Sequence, residues 1–420
     1  MSRLSIADID SLRANSAPIP YTVAPNTSSE FFKSAHNHEK PKSTPLDHHF
    51  SLEGQGFQGS AMKRSASPQS SRKITSLGTG RPTAEYYPWD ALAFELTSMA
   101  SLRNENGIEN ALRNGSGPEV ATQTIGKHDA GYNLSLALNY GHAAESPHLL
   151  RFVTEHVELA HNPPYVDWDS EGLSPDHLRE LLRTWDEEAR GPRPTVLYTV
   201  PSGQNPTGAT QSVERRRTIY QIAEKYDLVL IEDDPYYFLR LGDRPDGIPS
   251  YLPLDRAGRV VRLDSASNIL GPGLRAGWVT ARRLIIDKFL AYHEVGTVAV
   301  SGPTQLMLGK LLDETWGHQG FFFWLDRLSL SYRSRRNILL ESCDRYLPGE
   351  ICDWMSPEYG MFLWIKLDRK MHSQFRSQTE FEDVESKLAG IEDRILKCGL
   401  QDGVQVTKGS LFSVQQGPHG

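Results

Sequence analysis

The fold is decided by the stretch that reads PTVLYTV (194–200), SVERRRTIYQIAEKYD (212–227), LVLIEDD (228–234) and RVVRLDSAS (259–267). Three apolar runs of strand length alternate here with helical sequence, and this alternation predicts a parallel sheet with helical crossovers. In open sheets of this kind, ligands bind beyond the carboxyl ends of the strands. We therefore expect a binding site in the polar and glycine-rich segments that follow the three runs, at 201–208, 233–237 and 265–275.

The rest of the chain predicts further elements around this sheet. Amphipathic helices are expected at 89–107, 146–161 and 174–191, and Ser146 is a suitable N-cap for the second of them. After residue 300 the pattern becomes a second α+β unit, with helices expected at 305–316, 321–347 and 381–400 and strands at 360–367 and 403–409. Residues 1–73 lack apolar periodicity, so we expect an arm that is partly disordered or that packs on a second subunit.

The composition excludes several classes of protein. The 420 residues carry a net charge of −7 with acids and bases interspersed, so no nucleic-acid partner is expected. Cys343, Cys352 and Cys398 have no tight spacing, which argues against a disulfide framework or a zinc site and favours reduced thiols. No segment has the pattern of a signal peptide or the apolar length of a membrane span, so we expect a cytoplasmic protein with no membrane partner.

Four motifs carry a resemblance to a known family: PSGQNPTG (201–208), EDDPYY (232–237), SAS with PGLRAGW (265–278) and GMFLW (360–364). Their order and spacing are similar to those of class I aminotransferases of fold type I, which depend on pyridoxal 5'-phosphate (PLP). The subgroup that the chain resembles is the fungal aromatic and aminoadipate aminotransferases. The resemblance implies a large α/β cofactor-binding domain with a mostly parallel sheet (74–300), a small α+β domain (301–420) and a homodimer with sites at its interface.

The resemblance also implies which residues hold the ring of the cofactor. Asp233 matches the aspartate that pairs with the protonated pyridine nitrogen, although an acid at a strand end can also be a helix cap. Asn205 and Tyr236 match the residues that hydrogen-bond the phenolate oxygen of the cofactor. The alternative for Asn205 is a turn residue before Pro206.

Other matching residues are implied to bind phosphate or substrate. Ser265, Ser267 and Arg275 match the phosphate-binding group, with a forked contact from the arginine, for which an ordinary surface arginine is the alternative. Tyr140 in LNYG matches a tyrosine that reaches the phosphate of the partner subunit. The loop near the substrate carboxylate is matched by Gly78 and Gly80, which a tight turn alone would also explain.

The sequence departs from the family at the most reactive position. The family motif is Ser-x-Ser-Lys, and its lysine forms the Schiff base and then moves the proton between carbon centres. Asn268 stands at that position here, and a neutral amide is neither a useful nucleophile nor a base. Lys288 falls in a predicted amphipathic helix, which gives no reason for it to take over. Binding of PLP is therefore expected to be weak and non-covalent.

Two further departures concern missing sequence. Near residues 165–170 the chain lacks a block that similar proteins carry, of about two or three elements at ordinary element lengths. That block supplies a phosphate-binding turn, the aromatic residue that stacks on the ring and at least one strand, so its loss should expose an edge of the sheet. The sequence also stops where the family continues into a strand with the arginine that binds the α-carboxylate, so the small domain is expected to be truncated.

Several functions stay open at this stage. The resemblance implies amino-group transfer between an amino acid, possibly aromatic, and a 2-oxo acid, impaired by the departures. The alternatives are a catalytically inactive homologue that dimerises with an active paralogue, a PLP-type lyase of secondary metabolism, or a chain without a stable fold. The intact Asn205, Asp233, Tyr236 and Arg275 favour retained cofactor binding.

Overall fold

The fold was analysed in a computed structural model. It describes residues 4–19, 21, 28–38, 40–43, 46–57, 84–103, 119–139, 146–162, 175–242, 247–368 and 384–412. Three candidate site residues, Gly78, Gly80 and Tyr140, lie outside this part of the chain, as does the join at 165–170. Their predicted roles therefore stay predictions.

Helices and strands alternate through the middle of the chain. The strands are β1 (Ala91–Thr97), β2 (Val120–Gly126), β3 (Val196–Thr199), β4 (Val229–Asp233), β5 (Val260–Ser265), β6 (Gly277–Thr280), β7 (Cys352–Trp354) and β8 (Ile365–Leu367). The α-helices are α1 (Ile6–Asn15), α2 (Ala35–His38), α3 (Leu52–Gly56), α4 (Met99–Arg103), α5 (Leu134–Ala137), α6 (Pro147–Ala160), α7 (Pro175–Arg183), α8 (Glu187–Arg190), α9 (Val213–Tyr226), α10 (Arg283–Gly296), α11 (Gly302–Leu308), α12 (Gly317–Tyr346) and α13 (Val384–Gln401). Among these helices, none is long and apolar enough to cross a membrane.

The central sheet has the strand order β3-β4-β5-β6. β3, β4 and β5 run parallel and β6 pairs antiparallel with β5, which confirms the predicted α/β class. Helix α9 joins β3 to β4 and begins at Ser212, whose side chain accepts a hydrogen bond from the backbone N–H of Arg215. Within the described residues β3 is an edge strand, and Val196 and Tyr198 on it are 50% and 54% exposed. An exposed edge at β3 is consistent with the predicted missing block, whose join lies outside the described residues.

The helix predicted at 89–107 is wrong over most of its length. Residues 91–97 form β1, which pairs antiparallel with β2, and among the described residues of this segment only Met99–Arg103 is helical. Leu92 and Phe94 alternate with more exposed neighbours and pack against a buried cluster that includes Ile125. The period of two in this segment was the correct signal, and the helical period of the flanking residues obscured it.

The C-terminal predictions are confirmed in part. The helix expected at 305–316 exists, but its second half (Gly309–Trp316) is a π-helix that ends at Gly317 with φ 59°. The strand expected at 360–367 is shorter than predicted and consists of β8 alone. At its predicted start, Gly360 instead donates its N–H to the carbonyl of Leu239, in the segment after β4. No strand forms at 403–409, where Val404 instead donates to Gly399 at the end of α13.

A network of buried charges lies beneath the strand ends of the sheet. Arg262 on β5 lies 2.9 Å from Glu232, 2.6 Å from Asp264 and 3.6 Å from Asp234, and all four side chains are almost fully buried. Ser202 links the network to the loop after β3 through a 2.9 Å hydrogen bond to Asp234. Burial raises the pKa of Asp234 to about 8, although the charge of Arg262 opposes this. Such a network is stable only while every charge keeps its partners.

Helix α6 is buried on more faces than its amphipathic sequence predicts. The six residues from Thr154 to Leu159 are all buried, including His156, whose two ring nitrogens have no hydrogen-bond partner in the described part of the chain. Beside His156 is an apolar cavity of about 20 Å³ lined by Trp278 and Phe321 among others. Burial is the main reason that the pKa of His156 falls to about 3, so the ring stays neutral.

Replacing His156 with leucine is expected to stabilise the protein, most of all in mild acid. The folded-state pKa lies below the unfolded value of 6.5, so the unfolded chain binds the proton first and stability falls as the pH drops from about 6.5 towards 3. Between pH 7 and pH 5 the leucine variant should gain about 2 kcal/mol relative to the natural chain. Urea unfolding at both pH values measures this. His128→Leu, at an exposed turn, is the control, and an advantage of His156→Leu that does not widen in acid would contradict the account.

Candidate cofactor site

The loop that follows β3 is shaped by its glycines and by its contact with the C-terminal part of the chain. Gly203 and Gly208 have φ values of 56° and 69°, and the Asn205–Pro206 peptide bond between them is cis. A Cβ on Gly203 would lie 2.5 Å from the carbonyl oxygen of Tyr359, so the two loops touch through their backbones. This contact brings the PSGQNPTG and GMFLW motifs together and holds Asn205 at the surface of the site.

Gly203→Ala tests this close approach. Alanine would have to adopt a left-handed backbone conformation, and its Cβ would clash with the Tyr359 carbonyl. The variant should therefore lose about 1–3 kcal/mol of unfolding free energy. Gly349→Ala is the matched control, because a Cβ at that position meets nothing within 4 Å. Chemical denaturation of both variants measures the difference. Equal stability of the two variants would show that the loops are not in contact.

Four polar side chains lie near the strand ends as two hydrogen-bonded pairs, Tyr198 with Asp233 and Tyr236 with Asn205. Asp233 ends β4 and accepts a 2.6 Å hydrogen bond from the hydroxyl of Tyr198 on β3. Burial raises the pKa of Tyr236, the charge of Asp233 adds to this, and a hydrogen bond with Asn205 acts in the opposite direction. The ring of Tyr236 packs edge-on against Phe362 of the GMFLW motif, with centroids 5.5 Å apart. The structure therefore brings together Asn205, Asp233 and Tyr236, which lie in two separate motifs.

Tyr198 is a residue that the sequence analysis missed. Partial burial, with help from the Asp233 hydrogen bond, raises its pKa, so the phenol keeps its proton and remains a donor to the carboxylate. The signal was available in principle, because Tyr198 puts a phenol into the run PTVLYTV close to its carboxyl end, next to β4. A tyrosine in an apolar run, however, more often fills a core than orients an acid.

The serines and the arginine lie on the hairpin formed by β5 and β6. Ser265 pairs with Gly277, and the next residue, Ala266, donates its N–H to Ala276, so Ser267 and Arg275 follow on opposite arms. The hydroxyl oxygen of Ser265 accepts the N–H of Ser267 at 3.1 Å. Arg275 has φ 49° and its exposed guanidinium donates to the carbonyl of Pro272. Phosphate binding would require this arginine to turn away from its own loop.

Asn268 lies in the turn between the two arms. It is half-buried, and the next residue is held in place, because the carbonyl of Ile269 accepts a 2.6 Å hydrogen bond from the indole of Trp324. Lys288 is occupied elsewhere: its ammonium donates to the carbonyls of Gln55 and Phe57 at 2.7 and 2.9 Å. The structure therefore gives Lys288 no place in this site.

The side chains present match the polar groups of PLP. A carboxylate, an amide and a phenol at the strand ends match a pyridine nitrogen and a phenolate oxygen. Two hydroxyls and a guanidinium on the neighbouring hairpin match a phosphate. The turn at 267–270, however, offers an amide where covalent attachment needs an amine. The parallel sheet and these strand-end groups define an α/β protein of the PLP-dependent fold type I.

Comparison with known proteins identifies the family. The model of the class I and II aminotransferases matches residues 116–418, and the chain belongs to this family. Aminotransferase swnA of Metarhizium robertsii is 38% identical, in an alignment that covers 91% of this chain and 88% of that protein. An aromatic amino acid aminotransferase of Schizosaccharomyces pombe is 32% identical, with 84% and 89% covered. The crystal structure of aminotransferase Aro8 from Candida albicans superimposes with a TM-score of 0.76 at 27% identity, covering 89% of this chain and 90% of that one.

The alignment with the Metarhizium protein also bears on the missing block. It runs over 447 positions, more than the total length of this 420-residue chain, of which it covers 91%. It therefore includes positions that the relative has and this chain lacks. A block missing from the interior is consistent with this difference in length.

Proposed function

We propose that this chain is an aminotransferase-family protein that binds PLP non-covalently and is strongly impaired in amino-group transfer. The observation that carries the proposal is the contrast within one site. Asn205, Asp233 and Tyr236 remain assembled at the strand ends, while position 268 holds an amide instead of an amine. The residues that would bind the cofactor are therefore present, whereas the amine that would attach it covalently is absent at position 268.

The residues of the chain would hold the cofactor from two sides. Asp233, oriented by Tyr198, would pair its negative charge with the ring nitrogen, and Tyr236 with Asn205 would hydrogen-bond the ring oxygen. Ser265, Ser267 and Arg275 would bind the phosphate. When bound, PLP supplies an electron sink for bonds at the α-carbon of an amino acid. The chain would hold and orient the group, with Asp233 tuning its ring.

What the chain lacks is a group to move a proton at the reacting carbon. A positioned base contributes about 10²–10⁴-fold to the rate of such steps. An asparagine amide does not accept a proton at neutral pH, so this contribution is lost together with the covalent link. Loss of a covalent catalyst typically removes several orders of magnitude from kcat.

Equilibrium dialysis with PLP tests the binding half of the proposal. The natural chain should bind PLP reversibly, and Asp233→Ala and Arg275→Ala should each weaken binding at least about tenfold, which corresponds to the loss of one charge-assisted contact. Asp344→Ala, on the exposed side of α12, is the control and should leave the Kd unchanged. Binding that is insensitive to Asp233 and Arg275 would mean that PLP associates elsewhere on the protein.

Other parts of the proposal follow from family membership. We propose an amino acid and a 2-oxo acid as the substrates of any residual activity, and the S. pombe relative makes an aromatic amino acid the first to test. A cytoplasmic homodimer, or a heterodimer with an active paralogue, and the division into domains at 74–300 and 301–420 are proposed on the same basis. Size-exclusion chromatography with light scattering tests the dimer.

The two proposed domains share a hydrophobic cluster. This cluster includes residues from both sides of residue 300, for example Tyr236 and Phe321.

A further inference from the structure

We propose that His48, His49 and Asp227 form a binding site for a divalent transition-metal ion such as Zn²⁺, which fastens the N-terminal arm to the central sheet. The site is independent of the proposed cofactor site. Asp227 lies just before β4, whereas Asp233 ends the same strand, so the two sites are at opposite ends of the sheet.

The three side chains converge on one point. Nε2 of His48 lies 2.5 Å and Nε2 of His49 lies 3.2 Å from the same oxygen, Oδ2 of Asp227. All three potential ligand atoms lie within 4.8 Å of one another. Two imidazoles and one carboxylate are a ligand set that Zn²⁺ uses, with water in the fourth position of a tetrahedral site.

Asp227 is held in place by the backbone and by a neighbouring arginine. It caps helix α9 in the left-handed conformation, with φ 53° and ψ 51°, and donates its N–H to the carbonyl of Ala223. Arg259 lies 3.4 Å from Oδ1 and also donates to the carbonyl of Leu228 at 2.8 Å. Oδ1 is therefore engaged and Oδ2 faces the histidines, which is how an outer partner orients a metal-binding carboxylate. The charge of Arg259 opposes a cation, so we expect moderate affinity.

His49 gives the second, independent indication. Its side chain is only 7% exposed, and neither ring nitrogen has a hydrogen-bond partner among the described residues, although Nε2 lies close to Oδ2. Buried polar atoms without partners are rare in native proteins and often mark a missing ion or water. A metal ion between His49 and Asp227 would give Nε2 of the buried imidazole a partner. His48, whose side chain is 60% exposed, would complete the site from the solvent side.

The ion would connect elements that are far apart in the sequence. The histidines lie in the 3₁₀ turn Asp47–His49 of the arm, and Asp227 lies at the junction of α9 and β4. The arm is fastened a second time where Lys288 of α10 donates to the carbonyls of Gln55 and Phe57. With the metal bound, residues 46–57 would be attached to the α/β part of the chain at both ends.

Titration of the chelator-treated, full-length protein with Co²⁺ tests the site, because tetrahedral Co²⁺ absorbs visibly and reports nitrogen and oxygen ligands. We expect one equivalent to bind, Zn²⁺ to displace it, and both His49→Ala and Asp227→Asn to weaken binding at least tenfold. His48→Ala, at the exposed ligand, tests the site without risk to the core. His128→Ala, at a distant exposed turn, should bind as the natural chain does.

Limited proteolysis provides a readout that does not depend on the spectrum. Zn²⁺ should slow cleavage within residues 46–57 of the natural chain and of His128→Ala, but not of His48→Ala. No binding of Co²⁺ or Zn²⁺ would overturn the proposal. Binding that survives both His48→Ala and Asp227→Asn would also overturn it, because the ion would then be held by other residues.

Discussion

Asn268→Lys is expected to become covalently linked to PLP, and the natural chain is expected to stay unlinked. Residue 268 follows Ser267 in the turn between β5 and β6, and the fixed position of Ile269 holds this turn in place. An amine at this position would be a nucleophile towards the aldehyde of the cofactor. After borohydride reduction, peptide mapping should find a phosphopyridoxyl group on residue 268 in most of the protein.

Two controls separate attachment from general reactivity. Asn268→Gln keeps the amide and should show no adduct at residue 268, and Asn337→Lys places an amine on α12, away from the strand ends. If Asn268→Lys folds, binds PLP and still remains unlinked, the turn does not present residue 268 to the cofactor. The transamination rate of Asn268→Lys should also exceed that of the natural chain by about 10²-fold or more, because a positioned base contributes at least that much.

Arg262→Met is expected to cause the largest loss of stability of any single substitution considered. Arg262 lies against the buried side chains of Glu232, Asp264 and Asp234, and its removal leaves these acids with Arg216, 4.0 Å from Glu232, as a more distant positive charge. Breaking a buried pair of this kind costs about 3–5 kcal/mol at neutral pH. Urea unfolding at pH 7 measures the loss, and a variant that does not fold at all is the extreme form of the same result.

The pH dependence of this loss distinguishes charge from packing. Burial raises the pKa of Asp264 and the charge of Arg262 lowers it, so without the arginine this pKa rises further and the folded variant takes up a proton in mild acid. The deficit of Arg262→Met should therefore narrow from pH 7 to pH 5. Arg283→Met, in the exposed pair with Asp287, is the control and should change stability by less than about 0.5 kcal/mol. A deficit that is equal at both pH values would point to lost packing instead.

The sequence predicted the centre of this fold well because the signals there are local. The runs that became β3, β4 and β5 are apolar over strand length, and the helix between the first two begins at a serine cap. Prediction failed at 89–107, where the alternation of Leu92 and Phe94 is short and is followed by helical sequence. Only the pairing of β1 with β2, a contact distant in sequence, decides between the two periods.

The candidate site was likewise predictable only in part. The resemblance to the family implied that Asn205, Asp233 and Tyr236 belong to one site, and the structure brings them together. The orienting role of Tyr198 and the arrangement of His49 with Asp227 depend on which side chains face each other after folding. His49 and Asp227 are separated by most of the N-terminal half of the chain, and no local pattern links a histidine in an arm to a helix cap. The burial of His156 likewise follows from how α6 packs, not from its own sequence.

The most direct test of the account is the intact mass of the natural chain after incubation with PLP, reduction with borohydride and removal of free cofactor. Before reduction, PLP is expected to bind the natural chain, to be released by dialysis and to bind Asp233→Ala more weakly. After reduction, no specific lysine should carry a phosphopyridoxyl group. A stoichiometric adduct on one lysine of the natural chain, lost in Asp233→Ala, would contradict the account. Another residue would then have taken the place of the family lysine that Asn268 replaces.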